Sequence, residues 1–89
     1  MPSRQVNIIN KLGMHARAAA KFVNLASTFD SEVEIEKGTR RVNGKSIMGV
    51  MMLAAARGSQ ITIHADGADA EQALADLEAL INNRFGEDE

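Results

Sequence analysis

Cysteine, tryptophan and tyrosine are all absent from this chain, and its only aromatic residues are three phenylalanines. Without cysteine there are no disulfides, no thiolate chemistry and no cysteine-ligated metal. Without Trp or Tyr there is little on which a nucleic-acid base could stack. Ten basic residues stand against twelve acidic ones, a net charge of −2, too balanced to make nucleic acid the main partner. No apolar run approaches membrane-spanning length, and no basic-plus-apolar leader opens the chain. The expectation is a small cytoplasmic protein with no membrane insertion. Two histidines cannot hold a metal alone, and nothing in their spacing brings carboxylates to them, so neither metal nor cofactor is expected.

What the chain does have is aliphatic residues. Hydrophobic residues make up 45% of 89 positions, so one core of Ala, Val, Ile, Leu and Met is expected in one domain spanning residues 1–89. Arg4 to Ile9 alternates polar and apolar, which predicts a strand with one face buried. Asn10 to Met14 is a loop. A helix follows from about Ala16 to Ser27, with Ala16, Ala19, Ala20, Phe22, Val23 and Ala26 inward. Glu32 to Lys37 alternates strictly, Gly38-Thr39 turns, and Arg40 to Asn43 returns, forming a hairpin. Ser46 caps a second helix, Ile47 to about Arg57, with Gly58 closing it. Gln60 to Ala65 is a fourth strand, on which His64 points away from the core. Asp69 is a candidate N-cap for the last helix, whose apolar face carries Ala70, Ala73, Leu74, Leu77, Leu80 and Ile81. Gly86 to Glu89 is an acidic tail with no packing role in this reading. The order β-α-β-β-α-β-α predicts an α+β two-layer sandwich on an antiparallel sheet.

Chemistry concentrates at His15-Ala16-Arg17. Gly13 breaks the chain just before a run of strong helix formers, so His15 falls at or next to an N-cap. The first backbone N–H groups of the helix lack acceptors there, and with the helix dipole they favour an anion. Arg17 adds a fork of donors matched to phosphate oxygens. A neutral, nucleophilic imidazole beside such a niche suits a phosphoryl group that arrives, rests on nitrogen and leaves. The same residue types also occur as a surface histidine and a solvated arginine, so the neighbourhood has to decide. Lys11-Leu12-Gly13 is not a P-loop, because one glycine cannot wrap phosphates.

A second stretch, Ser46 to Ala56, is too apolar for a helix with one side in water. Val50, Leu53 and Ala54 fall on one side, and Ile47, Met48, Met51 and Met52 lie on or beyond its edge. Methionine fills irregular cores, and it equally forms adaptable docking patches. Ser46 reads as an N-cap, and a phosphate there would place about two negative charges beside that patch.

Asn10-Lys11-Leu12-Gly13-Met14-His15-Ala16-Arg17 followed by Asn43-Gly44-Lys45-Ser46-Ile47-Met48-Gly49-Val50-Met51 resembles the HPr family, phosphocarriers of the bacterial phosphoenolpyruvate-dependent phosphotransferase system. The resemblance covers essentially the whole chain. It implies an open-faced β-sandwich, four antiparallel strands covered by three helices. It implies that His15 accepts phosphate through Nδ1 from enzyme I, that Arg17 holds it, and that EIIA-type domains receive it. Ser46 would be the regulatory site of HPr kinase/phosphorylase in lineages that possess one. Ile47, Met48 and Met51, with Ala20 and Lys21, would form the docking surface of a monomeric carrier that is no enzyme itself. The family motif usually continues His-x-Arg-Pro, whereas Ala18 stands here, which predicts a slightly looser helix entry. Such an alanine resembles proteobacterial systems with few sugar permeases, so the nitrogen-branch paralogue NPr, with a regulatory role, is the alternative. A non-carrier docking module is the other.

Overall fold

In a computed structural model of the protein, which describes residues 2–88, the elements follow the predicted order. They are β1 (Ser3–Asn7), α1 (Ala16–Ala26), β2 (Glu32–Lys37), β3 (Arg40–Asn43), α2 (Ile47–Met52), β4 (Gln60–Asp66) and α3 (Ala70–Asn82), then a single tight turn at Arg84–Gly86. The strands form one antiparallel sheet in the order β1-β4-β2-β3. In its register Val6 lies opposite Ile61, Ile35 opposite Ile63, and Val33 opposite Ala65. Alternation sends these side chains to one face, where all are buried, and puts Glu32, Glu34, Glu36 and His64 on the other, while Arg4, Lys37 and Arg40 reach from the strand ends to the helix layer. The helices cover the buried face, so the architecture is the expected open-faced sandwich.

Several boundaries and faces differ from expectation, each for a local reason. β1 ends at Asn7, yet Ile8 stays buried because its N–H and C=O are taken by Ser59 O and Gly58 N at 2.8 and 2.7 Å. On α1 the inward residues are Ala18, Ala19, Phe22, Val23 and Ala26, while Ala16 is exposed and Ala20 half-buried. The helix therefore sits rotated toward Ala18, and alanine there fills a fully buried position.

The largest correction is α2. It stops at Met52 rather than Arg57, and Ala54 turns left-handed at φ 52°. The carbonyls that continued helix would have used are taken elsewhere. Lys37 Nζ donates to Leu53 O and Ala54 O, both at 3.2 Å, and Arg40 donates to Met52 O at 2.8 Å. Met14 N–H takes Ala55 O at 2.8 Å. Gly58 accordingly caps nothing and bonds Ile8 instead. Asp69 does stand at the N-cap of α3, but its carboxylate makes no cap bond. It accepts from Asp30 N and Ser31 N, both at 2.9 Å, and from the Ser31 hydroxyl, tying the α1–β2 loop to α3.

The chain end is also packed. Phe85 is fully buried against the core, and its carbonyl accepts from Lys21 Nζ at 2.6 Å. This turn places two consecutive non-glycine residues in left-handed backbone, Arg84 at φ 54° and Phe85 at φ 55°. Each such residue costs about 1–2 kcal/mol, and burying a phenylalanine returns about 1.5–3 kcal/mol. The burial offsets most of that strain and the Lys21 bond adds to it, so the terminal segment is not left as a free acidic tail. Its last residue, Glu89, lies outside the described residues.

Candidate functional site

The loop 10–14 delivers His15, and tertiary bonds shape that loop. Gly13 takes φ 65°, and a Cβ on it would lie 2.6 Å from Ala55 O, so glycine alone fits the close approach to the α2–β4 connection. Met14 is buried beneath. His15 then holds an extended N-cap conformation, with φ −73° and ψ 177°, and its carbonyl accepts from Ala19 N at 2.8 Å. Its Nδ1 accepts from the Arg17 backbone N–H at 3.3 Å, so the ring caps the helix through its own nitrogen.

The other ring nitrogen is occupied as well. Nε2 meets Glu87 Oε2 at 2.5 Å, and the second Glu87 oxygen accepts from Asn10 Nδ2 at 2.8 Å. Asn10 is fully buried, and the same amide nitrogen donates to Gly13 O at 2.8 Å. Both amide hydrogens are therefore spent on oxygens, which fixes the amide orientation, and Asn10 Oδ1 is left buried with no partner. Glu87 is held below the usual carboxylate range, first by the Asn10 amide and then by His15, with partial burial opposing. Nothing in the spacing of an acidic chain end pointed to this carboxylate. Asn10, five residues before the histidine, belongs to the motif, but its burial and its reach to Glu87 are tertiary and left no local signal.

The ring is partly open, with 26% of the His15 side chain exposed. Arg17 is exposed and, with Lys11, Leu12, Lys21, Gly86, Glu87 and Asp88, lines a shallow depression of about 650 Å³ beside it. A mixed floor of three cations and two carboxylates beside a nitrogen nucleophile can receive an anion without enclosing it.

Of the other sequence-predicted residues, Ser46 caps α2, its Oγ accepting from Gly49 N at 3.1 Å. Ile47, Met48, Met51 and Met52 are 42, 71, 40 and 62% exposed, which decides between core and surface for the methionine stretch. Val50 and Leu53 alone face inward, and Ala54 is exposed. Lys21 is not a free docking cation, since its ammonium is bonded to the Phe85 carbonyl. No helix among the described residues is long and apolar enough to cross a membrane.

Comparison with known proteins agrees with this geometry. The family model described as the PTS HPr component phosphorylation site matches residues 2–83. The chain is 56% identical over 89 residues to phosphocarrier protein HPr of Neisseria meningitidis serogroup A, both chains being covered in full. The crystal structure of HPr-C-His from Thermoanaerobacter tengcongensis superposes with a TM-score of 0.96 at 44% identity, again over the whole of both chains. An HPr dimer from the same organism superposes at 0.79 and 45% identity, covering 98% of this chain and 100% of that one. With its ring nitrogen at a helix mouth and relatives matched from end to end, the chain belongs to the HPr family of phosphocarrier proteins.

Proposed function

We propose that His15 Nδ1 is the phosphoryl acceptor of this phosphocarrier. The carrying observation is that Nδ1 faces the first N–H groups of α1, where Arg17 N already donates to it. In the transfer, the Nδ1 lone pair forms a bond to phosphorus as the donor's N–P bond breaks and its electron pair returns to the donor nitrogen. The anion then lies at the helix N-terminus, where backbone N–H groups, the dipole and the Arg17 guanidinium stabilise it. The ring stays partly exposed, as it must when a donor and an acceptor reach the same nitrogen in turn.

The donor in this reading is enzyme I, and the acceptor an EIIA-type domain, both in the cytoplasm. Both dock on one face, the apolar surface of Ile47, Met48 and Met51 next to α1 residue Ala20. A small apolar face fits transient, exchanging complexes. The carrier works as a monomer and has no turnover of its own. Ser46 stands where HPr kinase/phosphorylase would act. A phosphate on this N-cap is tolerated by the helix, and it penalises a partner that has to bury Ile47 and Met48 beside a new anion. The names of the curated relatives favour the general carrier over the nitrogen-branch role.

The deciding experiment incubates the protein with phosphoenolpyruvate and enzyme I and follows intact mass and acid stability. One added phosphate that is lost in mild acid and absent from His15→Ala supports the reading. No added phosphate, with an enzyme I shown active on another carrier, overturns it.

A further inference from the structure

The carboxylate at the chain end has no part in the transfer just described, yet three separate features hold it against the catalytic ring. The Arg84–Gly86 turn carries left-handed strain at two residues in order to bury Phe85 and bring the following residue back across α1. Lys21 bonds the Phe85 carbonyl, and Glu87 N–H bonds Arg84 O at 2.9 Å. Asn10, fully buried, leaves its own carbonyl oxygen without a partner while directing its amide at Glu87. An unpaired buried oxygen is destabilising. A chain end that only needed tying down would be served by the Phe85 burial alone.

We propose that Glu87 is a positioning residue for phosphoryl transfer: its carboxylate holds a proton on His15 Nε2 throughout the carrier cycle, leaving Nδ1 as the nucleophile. This inference rests on the carrier reading above. In resting protein, Nε2–H donates to Glu87 Oε2, so the lone pair stands on Nδ1, where the Arg17 N–H already finds it. The bond at one imidazole nitrogen sets which tautomer the other presents. When Nδ1 attacks phosphorus, the N–P bond forms and the donor's N–P bond breaks, while the Nε2 proton stays in place. The product ring is an imidazolium, and the adjacent carboxylate neutralises it. When the acceptor attacks phosphorus, the electron pair of the Nδ1–P bond returns to Nδ1 and a neutral imidazole leaves. Had Nε2 lost its proton, the leaving group would be an imidazolate, which is far poorer. Glu87 thus keeps the phosphorylated carrier in its transferable form.

The charged groups lining the neighbouring depression come from three segments. Arg17 and Lys21 stand on α1, Lys11 on the preceding loop, and Glu87 and Asp88 on the terminal segment. α2 carries no charged residue. Among the described residues, Glu87 is the carboxylate in hydrogen-bond contact with Nε2.

The test compares wild type, Glu87→Gln and Glu87→Ala. Each is phosphorylated by enzyme I and phosphoenolpyruvate, and transfer to an EIIA domain is timed across pH by intact mass. Glutamine keeps the size but removes the charge and leaves one accepting oxygen where the carboxylate has two, so it can retain the bond from Asn10 or the bond from His15 Nε2–H but not both; the fold is expected to persist. The alkaline limb of the transfer profile should move toward acid, with transfer at its alkaline end slowed about threefold, the size of a partly screened ion pair. Glu87→Ala should show the same displacement. Superimposable profiles for wild type and Glu87→Gln would overturn the proposal and leave Glu87 a structural tether. Absence of acid-labile phosphate on wild type would instead overturn the carrier reading, and this inference with it.

Discussion

The molecule contains two histidines, and both place Nε2 on a glutamate. His15 meets Glu87 at 2.5 Å and His64 meets Glu36 at 2.8 Å, with side-chain exposures of 26 and 15% for the histidines. By distance and burial the two pairs are near twins. What separates them is the second nitrogen. His15 Nδ1 looks into a helix N-terminus, where the Arg17 amide donates to it. His64 sits on β4, an inner strand whose backbone is paired with β1 on one side and β2 on the other. An anion arriving at His64 would find no unspent backbone donors, and Glu34 stands opposite it in the register. The glutamates differ too. Glu87 is 18% exposed and gripped by a buried amide, whereas Glu36 is 38% exposed. A histidine–carboxylate pair is thus not distinctive in itself, and the helix end is what sets the proposed acceptor apart.

The largest expected effect separates the pairs outright. His15→Ala should abolish phosphate incorporation from phosphoenolpyruvate and enzyme I, and His64→Ala should retain it. Intact mass reads both in one experiment. Phosphate lost in the His64 variant as well, with the protein folded, would show that the open face of the sheet takes part.

Next in size is the grip on Glu87. Asn10→Ala removes donors to Gly13 O and to Glu87 together. It also removes the unpaired Oδ1, so the two changes oppose one another. The net cost is expected at about 1–2 kcal/mol, as a lower midpoint in urea at unchanged slope. The alkaline limb of transfer should move toward acid as in Glu87→Gln, but by less, because the carboxylate keeps its charge. This variant tests whether the grip of a buried amide matters to the His15 pair.

Much of this was legible in the sequence, and the boundary of legibility has a physical reason. Period-2 alternation marked all four strands, because alternation is enforced by a sheet with one buried face. His15 at the helix mouth followed from Gly13 and the alanine run, both local signals. The site's far side was not legible, since Glu87 lies 72 residues away and arrives by a left-handed turn at Arg84 and Phe85 that no local preference encodes. α2 was overestimated for a similar reason. Ala54, Ala55 and Ala56 favour helix intrinsically, but Lys37, Arg40 and Met14 take the carbonyls of that segment, and tertiary bonds outweigh propensities of a few tenths of a kcal/mol. Asp69 was placed correctly at a helix start and bonded elsewhere, because loop amides across the fold compete with those of its own helix.

Acid should distinguish the pairs by a smaller effect. Glu87 lies below its ordinary range, first through the Asn10 amide, and Asp69 lies below its own, first through the Ser31 hydroxyl. A depressed folded-state value means that the unfolded chain binds the proton first. The stability these groups add is therefore fully present above the unfolded carboxylate range and is lost as pH falls through the lower folded values. Thermal midpoints should be level from neutral pH to about pH 5 and decline below it. Asp69→Asn should flatten part of that decline, and Glu87→Gln a smaller part.

The smallest expected effect is the one that most directly tests the twin pairs. Glu36→Gln neutralises the partner of His64 as Glu87→Gln neutralises that of His15, with the same loss of charge and the same retained shape. Glu36 is more exposed and water screens it, so stability should change by no more than about 0.2–1 kcal/mol. If His15 is the acceptor, as proposed, the variant's phosphoryl-transfer profile should overlay that of wild type at every pH. A transfer profile displaced equally by Glu36→Gln and Glu87→Gln would mean that overall charge, not contact with Nε2, governs the reaction. A displacement confined to Glu87→Gln locates the effect in the 2.5 Å contact with His15.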